Sequence, residues 1–314
     1  MMRTQNARAS IIITTHDRPH LLARAVESAR ASGNNVEIVV VDDASSDETA
    51  EVCQSLSGIN YVRVERNQGV AGARNVGLVA SSGEYVSFLD DDDTRMADSV
   101  DRQIDILETD PQAGMIYGQA IYGDQEGNPT DRLYPVGCPK GDLFWKLLCR
   151  NFIPCGSAVF RRSCLSRVGL LDDAIPGLDD WDLWVRIAEI HPVLAVELPV
   201  MTWRRSAPGS GQGTSRAAQI VSLSVRQFPK WMKLPRARDA SRKARRNLWH
   251  GFSENMAEHL LWESARALRC GQIGEALKSL MTLPRLHPLT MMDIAKHRVF
   301  PNSTKETRGA FGLA

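Results

Sequence analysis

The chain has 314 residues, of which 43% are hydrophobic and 24% are charged, and its formal net charge is +1. This composition is typical of a globular protein with a packed core, and it excludes an intrinsically disordered or fibrous chain. A net charge so close to zero gives no overall indication of nucleic-acid binding.

The first half of the chain alternates predicted strands and helices. Apolar runs at 9–14, 36–41, 61–64 and 85–89 predict four strands, with a helix between each pair. Pro19 is well placed in the first turn of the first helix. This order predicts an α/β fold with a mostly parallel sheet flanked by helices.

Four carboxylates, Asp90 to Asp93, directly follow the fourth predicted strand. Adjacent negative charges raise one another's pKa values unless a cation or hydrogen-bond donors intervene. Oxygen ligands of this kind suit a hard divalent cation, Mg²⁺ or Mn²⁺. The alternative is a solvated acidic turn that caps the next helix.

Polar residues follow the first, second and fourth strands, which places them at one edge of one sheet. Open α/β sheets bind ligands at this edge, so the loops outline a nucleotide-sized crevice. Neither GxGxxG after the first strand nor GxxxxGK[ST] is present, which argues against a dinucleotide dehydrogenase and a P-loop ATPase.

The middle of the chain continues the pattern. A helix at 96–109, a strand at 114–118, a hairpin turn at 122–128, a short helix at 142–149 and a strand at 193–197 are predicted.

A second acidic pair lies at the start of a further predicted helix. Leu183, Ile187 and Ile190 share one face of that helix, which leaves Asp179 and Asp180 at its N-terminus. Acids are common there as helix caps, and that is the alternative to a catalytic role.

Four blocks in this order resemble the signature motifs of family 2 glycosyltransferases, which have the GT-A fold. They lie at 11–18, 39–47, 67–77 and 83–93, and the resemblance covers about residues 8–205. It implies a metal-dependent, inverting enzyme that moves a sugar from a nucleotide-diphosphate donor, expected to be a UDP-sugar. The acceptor would be a hydroxyl of a glycan or of a lipid-linked molecule, in bacterial-type surface polysaccharide synthesis.

The resemblance also implies roles for single residues at the donor site. Thr14 and His16 would line the nucleobase, Asp43 would accept a hydrogen bond from it, and Asp91 would reach the ribose. A surface turn residue is the alternative for His16. Arg74 would contact phosphate, with a salt bridge on a helix surface as its alternative.

For the metal and the acceptor, the resemblance makes Asp90 and Asp92 the DxD motif, with Asp92 as the direct ligand. Asp180 would be the catalytic base. The residues expected near the acceptor are Asp179, Trp181, Trp203 and Arg204. An aromatic face at Trp181 suits the apolar face of a sugar ring, whereas Trp184 is expected to pack in the core.

Two other functions remain open at this point. A nucleotidyltransferase could use a similar crevice and metal, and would release pyrophosphate from a nucleoside triphosphate. A degenerate transferase domain could act as a binding or scaffold module.

The last third of the chain is predicted to be helical, which divides the protein into domains at 1–215 and 216–314. The Gly/Ser-rich loop at 206–215 is either a lid over the donor or a linker. A helical hairpin is predicted over 257–283, with its turn at 270–272.

Basic residues with interleaved aromatic ones occupy 226–246. They predict either a solvated helix face or peripheral contact with an anionic membrane, and no fold motif supports nucleic-acid binding. Without a signal peptide or a run of roughly 18 apolar residues, the expected location is cytoplasmic, with possible attachment at the inner face of the membrane. No oligomeric state is predicted.

Overall fold

The computed structural model describes residues 7–204 and 217–286. These residues form two compact units. The sheet unit comprises 7–143 and 152–204, and the helical unit comprises 144–151 and 217–286. The predicted domain boundary at 215/216 and the loop at 206–215 lie outside the described residues.

The strands are β1 (Ala9–Thr15), β2 (Val36–Asp42), β3 (Asn60–Arg63), β4 (Tyr85–Asp90), β5 (Thr94–Arg95), β6 (Met115–Gly123), β7 (Pro129–Tyr134), β8 (Ala158–Arg161) and β9 (Val193–Trp203). The helices are α1 (Pro19–Ala31), α2 (Thr49–Ser55), α3 (Gly69–Ala80), α4 (Ser99–Glu108), α5 (Phe144–Cys149), α6 (Leu165–Val168), α7 (Asp179–Ile190), α8 (Ala217–Trp231), α9 (Pro235–Arg238), α10 (Arg242–Arg269) and α11 (Ile273–Thr282). All of the strands belong to the sheet unit, whereas α5 and α8 to α11 belong to the helical unit.

The α/β class is confirmed, with strands in the order β3-β2-β1-β4-β8-β6-β9-β5 and β7 paired to β6. The first four strands are parallel, as predicted. Beyond β4 the sheet is mixed, because β8 runs antiparallel to both β4 and β6. Since β9 is parallel to β6, the strands β1, β4, β6 and β9 all end at the same edge of the sheet.

Continuous apolar sequence explains the central strands. Ile11, Ile12 and Ile13 are fully buried because both faces of β1 are covered. Helix α1 packs Leu22 and Val26 into the same core. At Gly77, a β-carbon would collide with Ile12, so the glycine allows α3 to lie close against β1.

Several elements differ in extent from the prediction. The strand predicted at 114–118 continues as β6 to Gly123, and the first helix of the predicted hairpin begins at Arg242 rather than at 257. The strand predicted at 193–197 continues to Trp203 as β9. Pro199 does not end it, because Pro199 lies opposite Gln119 where the pairing with β6 is irregular. The helix predicted from 96 begins only at Ser99. Asp98 precedes it in the left-handed region, with φ of 56°.

The helical unit has an aromatic core. Phe228 on α8 packs against Phe252 on α10, with ring centroids 4.5 Å apart, and against Trp249 at 5.1 Å. Helices α10 and α11, with their turn at residues 270–272, confirm the predicted hairpin. Among the described residues, no helix combines the length and apolar character that crossing a membrane requires.

Candidate functional site

An acidic cluster follows β4. Carboxylate oxygens of Asp90, Asp92 and Asp93 lie within 4.8 Å of one another. Burial, followed by the negative charge of Asp90, raises the pKa of Asp92. Burial and the charge of Asp92 raise the pKa of Asp93 well above its ordinary value. Three mutually repelling carboxylates fit a hard divalent cation, and Asp93 joins the two ligands predicted from the sequence.

The fourth acid of the run has a different environment. Asp91 is 1% exposed, and its Oδ1 lies 2.7 Å from the guanidinium of Arg18, at the end of the loop after β1. Burial raises the pKa of Asp91 to about 7, although Arg18 acts in the opposite direction. The Asp91–Arg18 pair therefore ties the acidic cluster to the loop that precedes α1.

The loops after β1 and β2 lie together, as predicted. The backbone N–H of Asp43 donates to the carbonyl of Thr15 at 2.9 Å, and the backbone N–H of Ser46 donates to Asp17 Oδ1 at 2.6 Å. Thr14 is buried, whereas His16 is exposed.

Asp43 is also buried, and its Oδ1 accepts a hydrogen bond at 2.7 Å from the backbone N–H of Gln68, immediately before α3. This carboxylate therefore orders the loop that leads into α3.

Arg74 joins the acidic cluster to the second acidic pair. Its guanidinium donates to Asp90 Oδ1 and to Asp179 Oδ2, both at 2.7 Å, and it lies over the ring of Phe88 at 5.3 Å. Arg74 therefore forms salt bridges, as the alternative reading expected, but at 5% exposure they are buried rather than on a helix surface. The phosphate contact stays a prediction. This pairing could not be predicted from the pattern of residues, because 105 residues separate Arg74 from Asp179.

The two acids that open α7 differ in environment. Asp179 is buried and paired with Arg74, whereas Asp180 is partly exposed. Asp180 Oδ1 accepts from the backbone N–H of Trp181 at 2.6 Å. Burial, and then the charge of Asp179, raises the pKa of Asp180 to about 7. A carboxylate with that pKa exchanges a proton readily near neutral pH.

Cys155, which the sequence does not single out, also lies near Arg74 and the acidic pair of α7. Its thiol lies in the field of Arg74 and Asp180, and burial raises its pKa well above the ordinary value. A single cysteine in a loop carries no distinctive pattern, so the sequence could not indicate this placement.

The tryptophans discussed for the acceptor site differ in exposure. Trp181 is 3% exposed, so neither ring face is open to a ligand, and Trp184 packs in the core as predicted. Trp203 is 40% exposed. The backbone N–H of Arg204 donates to Asp93 Oδ1 at 2.8 Å, which attaches the end of β9 to the acidic cluster.

A family model described as "Glycosyl transferase family 2" matches residues 10–168. An uncharacterized glycosyltransferase of Rickettsia conorii is 31% identical over 193 residues, which cover 59% of this chain and 32% of that protein. The chain thus spans about a third of that relative's length. An Escherichia coli protein named UDP-Glc:alpha-D-GlcNAc-diphosphoundecaprenol beta-1,3-glucosyltransferase is 27% identical over 183 residues, covering 57% of this chain and 69% of that protein.

Two solved structures share the fold. A mannosyltransferase from Pyrobaculum calidifontis, in complex with GDP-Man and Mn²⁺, has a TM-score of 0.57 at 18% identity, covering 96% of this chain and 89% of its own. Residues 1–349 of TarS from S. aureus, in complex with UDP-GlcNAc, give a TM-score of 0.56 at 12% identity, covering 86% and 89%. The GT-A fold expected from the sequence is confirmed.

Proposed function

The chain belongs to glycosyl transferase family 2, and from that premise we propose that it transfers a sugar from a nucleotide-diphosphate donor to a hydroxyl group. The observation that carries this proposal is the pair of ion pairs made by Arg74. They connect Asp90, in a cluster suited to a cation, with Asp179, whose neighbour Asp180 is suited to proton transfer. A cation assists departure of the diphosphate, and a general base assists attack by the hydroxyl.

The donor occupies the crevice formed by the loops after β1, β2 and β4. Thr14, His16 and Asp43 would line the nucleobase. Asp91 is 1% exposed and paired with Arg18, so the ribose contact expected from the resemblance does not fit its environment. Uridine is the expected base, in keeping with the UDP-Glc in the name of the E. coli relative. The named E. coli relative supports a lipid-linked acceptor in surface polysaccharide synthesis.

Asp90, Asp92 and Asp93 would hold Mg²⁺ or Mn²⁺, and a carboxylate cluster of this kind fits either ion. When bound, the ion supplies positive charge that offsets the negative charge on the leaving diphosphate. Arg74 keeps Asp90 in place, and the backbone of Arg204 does the same for Asp93.

Asp180 is the general base. Its carboxylate takes the proton of the acceptor hydroxyl while the hydroxyl oxygen bonds to the anomeric carbon. The bond from that carbon to the phosphate oxygen breaks, and the nucleoside diphosphate leaves. One displacement of this kind inverts the anomeric configuration. The carboxylate of Asp179 is engaged in an ion pair with Arg74, which favours Asp180 as the member of the pair that accepts the proton.

Thermal unfolding with nucleoside diphosphates tests the donor site. UDP, or another nucleoside diphosphate, should raise the melting temperature more with Mg²⁺ or Mn²⁺ than with EDTA. Asp92→Ala should abolish the metal-dependent part, whereas Asp173→Ala, at an exposed carboxylate, should keep it. An equal shift in EDTA would refute the metal assignment, and release of pyrophosphate from a nucleoside triphosphate would favour a nucleotidyltransferase.

A further inference from the structure

Three aromatic side chains cluster at the edge of the sheet that carries the acidic cluster. Tyr122 near the end of β6 and Trp203 at the end of β9 are stacked, with ring centroids 5.6 Å apart and an angle of 17° between the planes. Tyr134, at the end of β7, is tilted against both rings at 6.4 and 6.2 Å. We call Tyr122, Tyr134 and Trp203 the ring cluster.

The ring cluster and the acidic cluster are connected through the backbone. Trp203 directly precedes Arg204, whose N–H donates to Asp93 at 2.8 Å. Thr202 pairs with Thr94, which directly follows Asp93 in the chain. In the order of the sheet, β6 and β9 lie on the opposite side of β4 from β2, which carries Asp43. The ring cluster is therefore beside the proposed leaving group and away from the proposed nucleobase site.

The turn between β6 and β7 is fixed in place. The Nε–H of Arg204 donates to the carbonyl of Gln125 at 2.6 Å, and Arg24 donates to the carbonyl of Glu126. Arg24 also donates to the carbonyl of Asp92 at 3.2 Å. Two arginines thus tie the β6–β7 turn to the acidic cluster, Arg24 through the carbonyl of Asp92 and Arg204 through the carboxylate of Asp93. The rings on the flanking strands are preorganised, which reduces the entropy lost on binding.

Trp203 stands out within the sheet unit by its exposure. It is 40% exposed, whereas Trp181 and Trp184 are 3% and 0% exposed. One face of its indole is supported by Tyr122. The other face of the Trp203 ring can therefore contact a ligand. The face of an aromatic ring is electron-rich and attracts positively polarised C–H groups. The apolar face of a pyranose presents such groups.

We propose that the Tyr122–Trp203 stack is the subsite that binds the pyranose ring of the acceptor. This assignment rests on the proposed function, since it places the acceptor sugar on the side of the acidic cluster away from the nucleobase. The stack selects acceptors whose sugar has an uninterrupted face of C–H groups, and it aligns the acceptor for attack.

Saturation-transfer NMR tests the subsite with methyl glycosides of glucose, galactose, mannose and N-acetylglucosamine, in the presence of UDP and Mn²⁺. At least one glycoside should receive saturation, strongest on the protons of one ring face. Trp203→Leu keeps an apolar side chain but removes the π face, and should weaken this binding by roughly threefold to tenfold. Trp203→Phe should restore part of it.

Trp145→Leu is the matched control, because Trp145 is similarly exposed, at 36%, but belongs to the helical unit. It should leave the glycoside signal unchanged. Circular dichroism checks that each variant is folded, and Tyr122→Leu provides a second test if Trp203→Leu does not fold. A glycoside signal that is absent from the wild type, or equal in wild type and Trp203→Leu, overturns the subsite.

Parallel thermal shifts with UDP separate this proposal from the one on which it rests. If the proposed function fails, no nucleoside diphosphate will stabilise the wild type. If only the subsite is wrong, nucleotide stabilisation will persist while the glycoside signal is insensitive to Trp203.

Discussion

The sheet unit and the helical unit differ in whether their charged side chains are buried or exposed. The sheet unit buries Arg74, Asp91, Asp93 and Asp179 at 5% exposure or less, and holds them in a network of ion pairs and hydrogen bonds. The helical unit buries an aromatic core and leaves most of its basic residues exposed, including those between 241 and 247.

This difference indicates where function resides. Burial of a charge is strongly unfavourable unless a partner compensates it, so a network of buried charges is seldom retained for stability alone. Exposed charges on a helix cost little and are consistent with plain solubility or with weak attraction to an anionic surface. We therefore expect substitutions of charged residues to have large effects on rate or stability in the sheet unit and small effects in the helical unit.

The largest expected effect comes from Asp180→Asn. Removal of the proton acceptor should lower kcat by about 10²- to 10⁴-fold while nucleotide affinity stays the same. The pKa of Asp180 in the folded protein is raised to about 7. The stability contributed by its protonated form is therefore lost as pH rises through 7 and the carboxyl group ionises. The variant should therefore have an unchanged or higher melting temperature at pH 8.

Asp182→Asn is the matched control for that experiment. Asp182 lies in the same turn of α7 and pairs with Arg186 at 2.7 Å, so its loss should lower the melting temperature without a comparable loss of rate. Asp179→Asn should reduce the rate less than Asp180→Asn. Wild-type turnover by Asp180→Asn would make that residue a structural cap.

The next largest effect is on stability, for Arg74→Met. Two buried or partly buried carboxylates would lose their shared partner, which should lower the free energy of unfolding by about 3–5 kcal/mol. Arg245→Met, at an exposed position of the helical unit, should change it by less than about 0.5 kcal/mol. Urea titration measures both, and similar losses at the two positions would remove the contrast between the units.

A smaller effect is expected from Gly127→Ala in the β6–β7 turn. Gly127 has φ of 82°, and a β-carbon there would collide with the guanidinium of Arg24. The left-handed backbone alone should cost about 1–2 kcal/mol, and displaced Arg24 would release the carbonyl of Asp92. Gly137→Ala has open space around the added methyl group and should be nearly neutral. Equal melting temperatures for the two variants would show that the turn is not fixed.

The smallest effect per residue is expected in the basic segment 226–246. Each Lys or Arg near an anionic bilayer contributes about 1 kcal/mol, and salt weakens the attraction. The protein should cosediment with anionic but not neutral vesicles, and a variant with Arg242, Lys243 and Arg245 changed to Glu should bind less. Identical sedimentation with both lipids would leave this segment as a solvated helix face.

The sequence was sufficient to predict the elements whose pattern is local. The parallel strands β1 to β4 follow from continuous apolar runs, and the hairpin of α10 and α11 follows from helical periodicity. The acidic run after β4 was visible because all four members are adjacent in the chain. Loops that follow parallel strands necessarily meet at one edge, so the pairing of the β1 and β2 loops was predictable.

Features that depend on distant contacts were not predictable. The Arg74–Asp179 pair and the proximity of Cys155 require α3, α7 and β8 to be placed in three dimensions. Whether Trp181 or Trp203 is exposed depends on packing around each ring, and both look alike in the sequence. The order of strands beyond β4 depends on antiparallel pairing of β8, for which the sequence has no short turn signal.

The pH dependence of kcat reports directly on whether Asp180 accepts the proton during sugar transfer. With saturating UDP-sugar and Mn²⁺, the wild-type rate should fall as pH drops below about 7, because protonation removes the base. The same limb should be missing from the residual activity of Asp180→Asn. A wild-type rate that is independent of pH between about 5 and 8, or an acidic limb that persists in Asp180→Asn, would contradict the account.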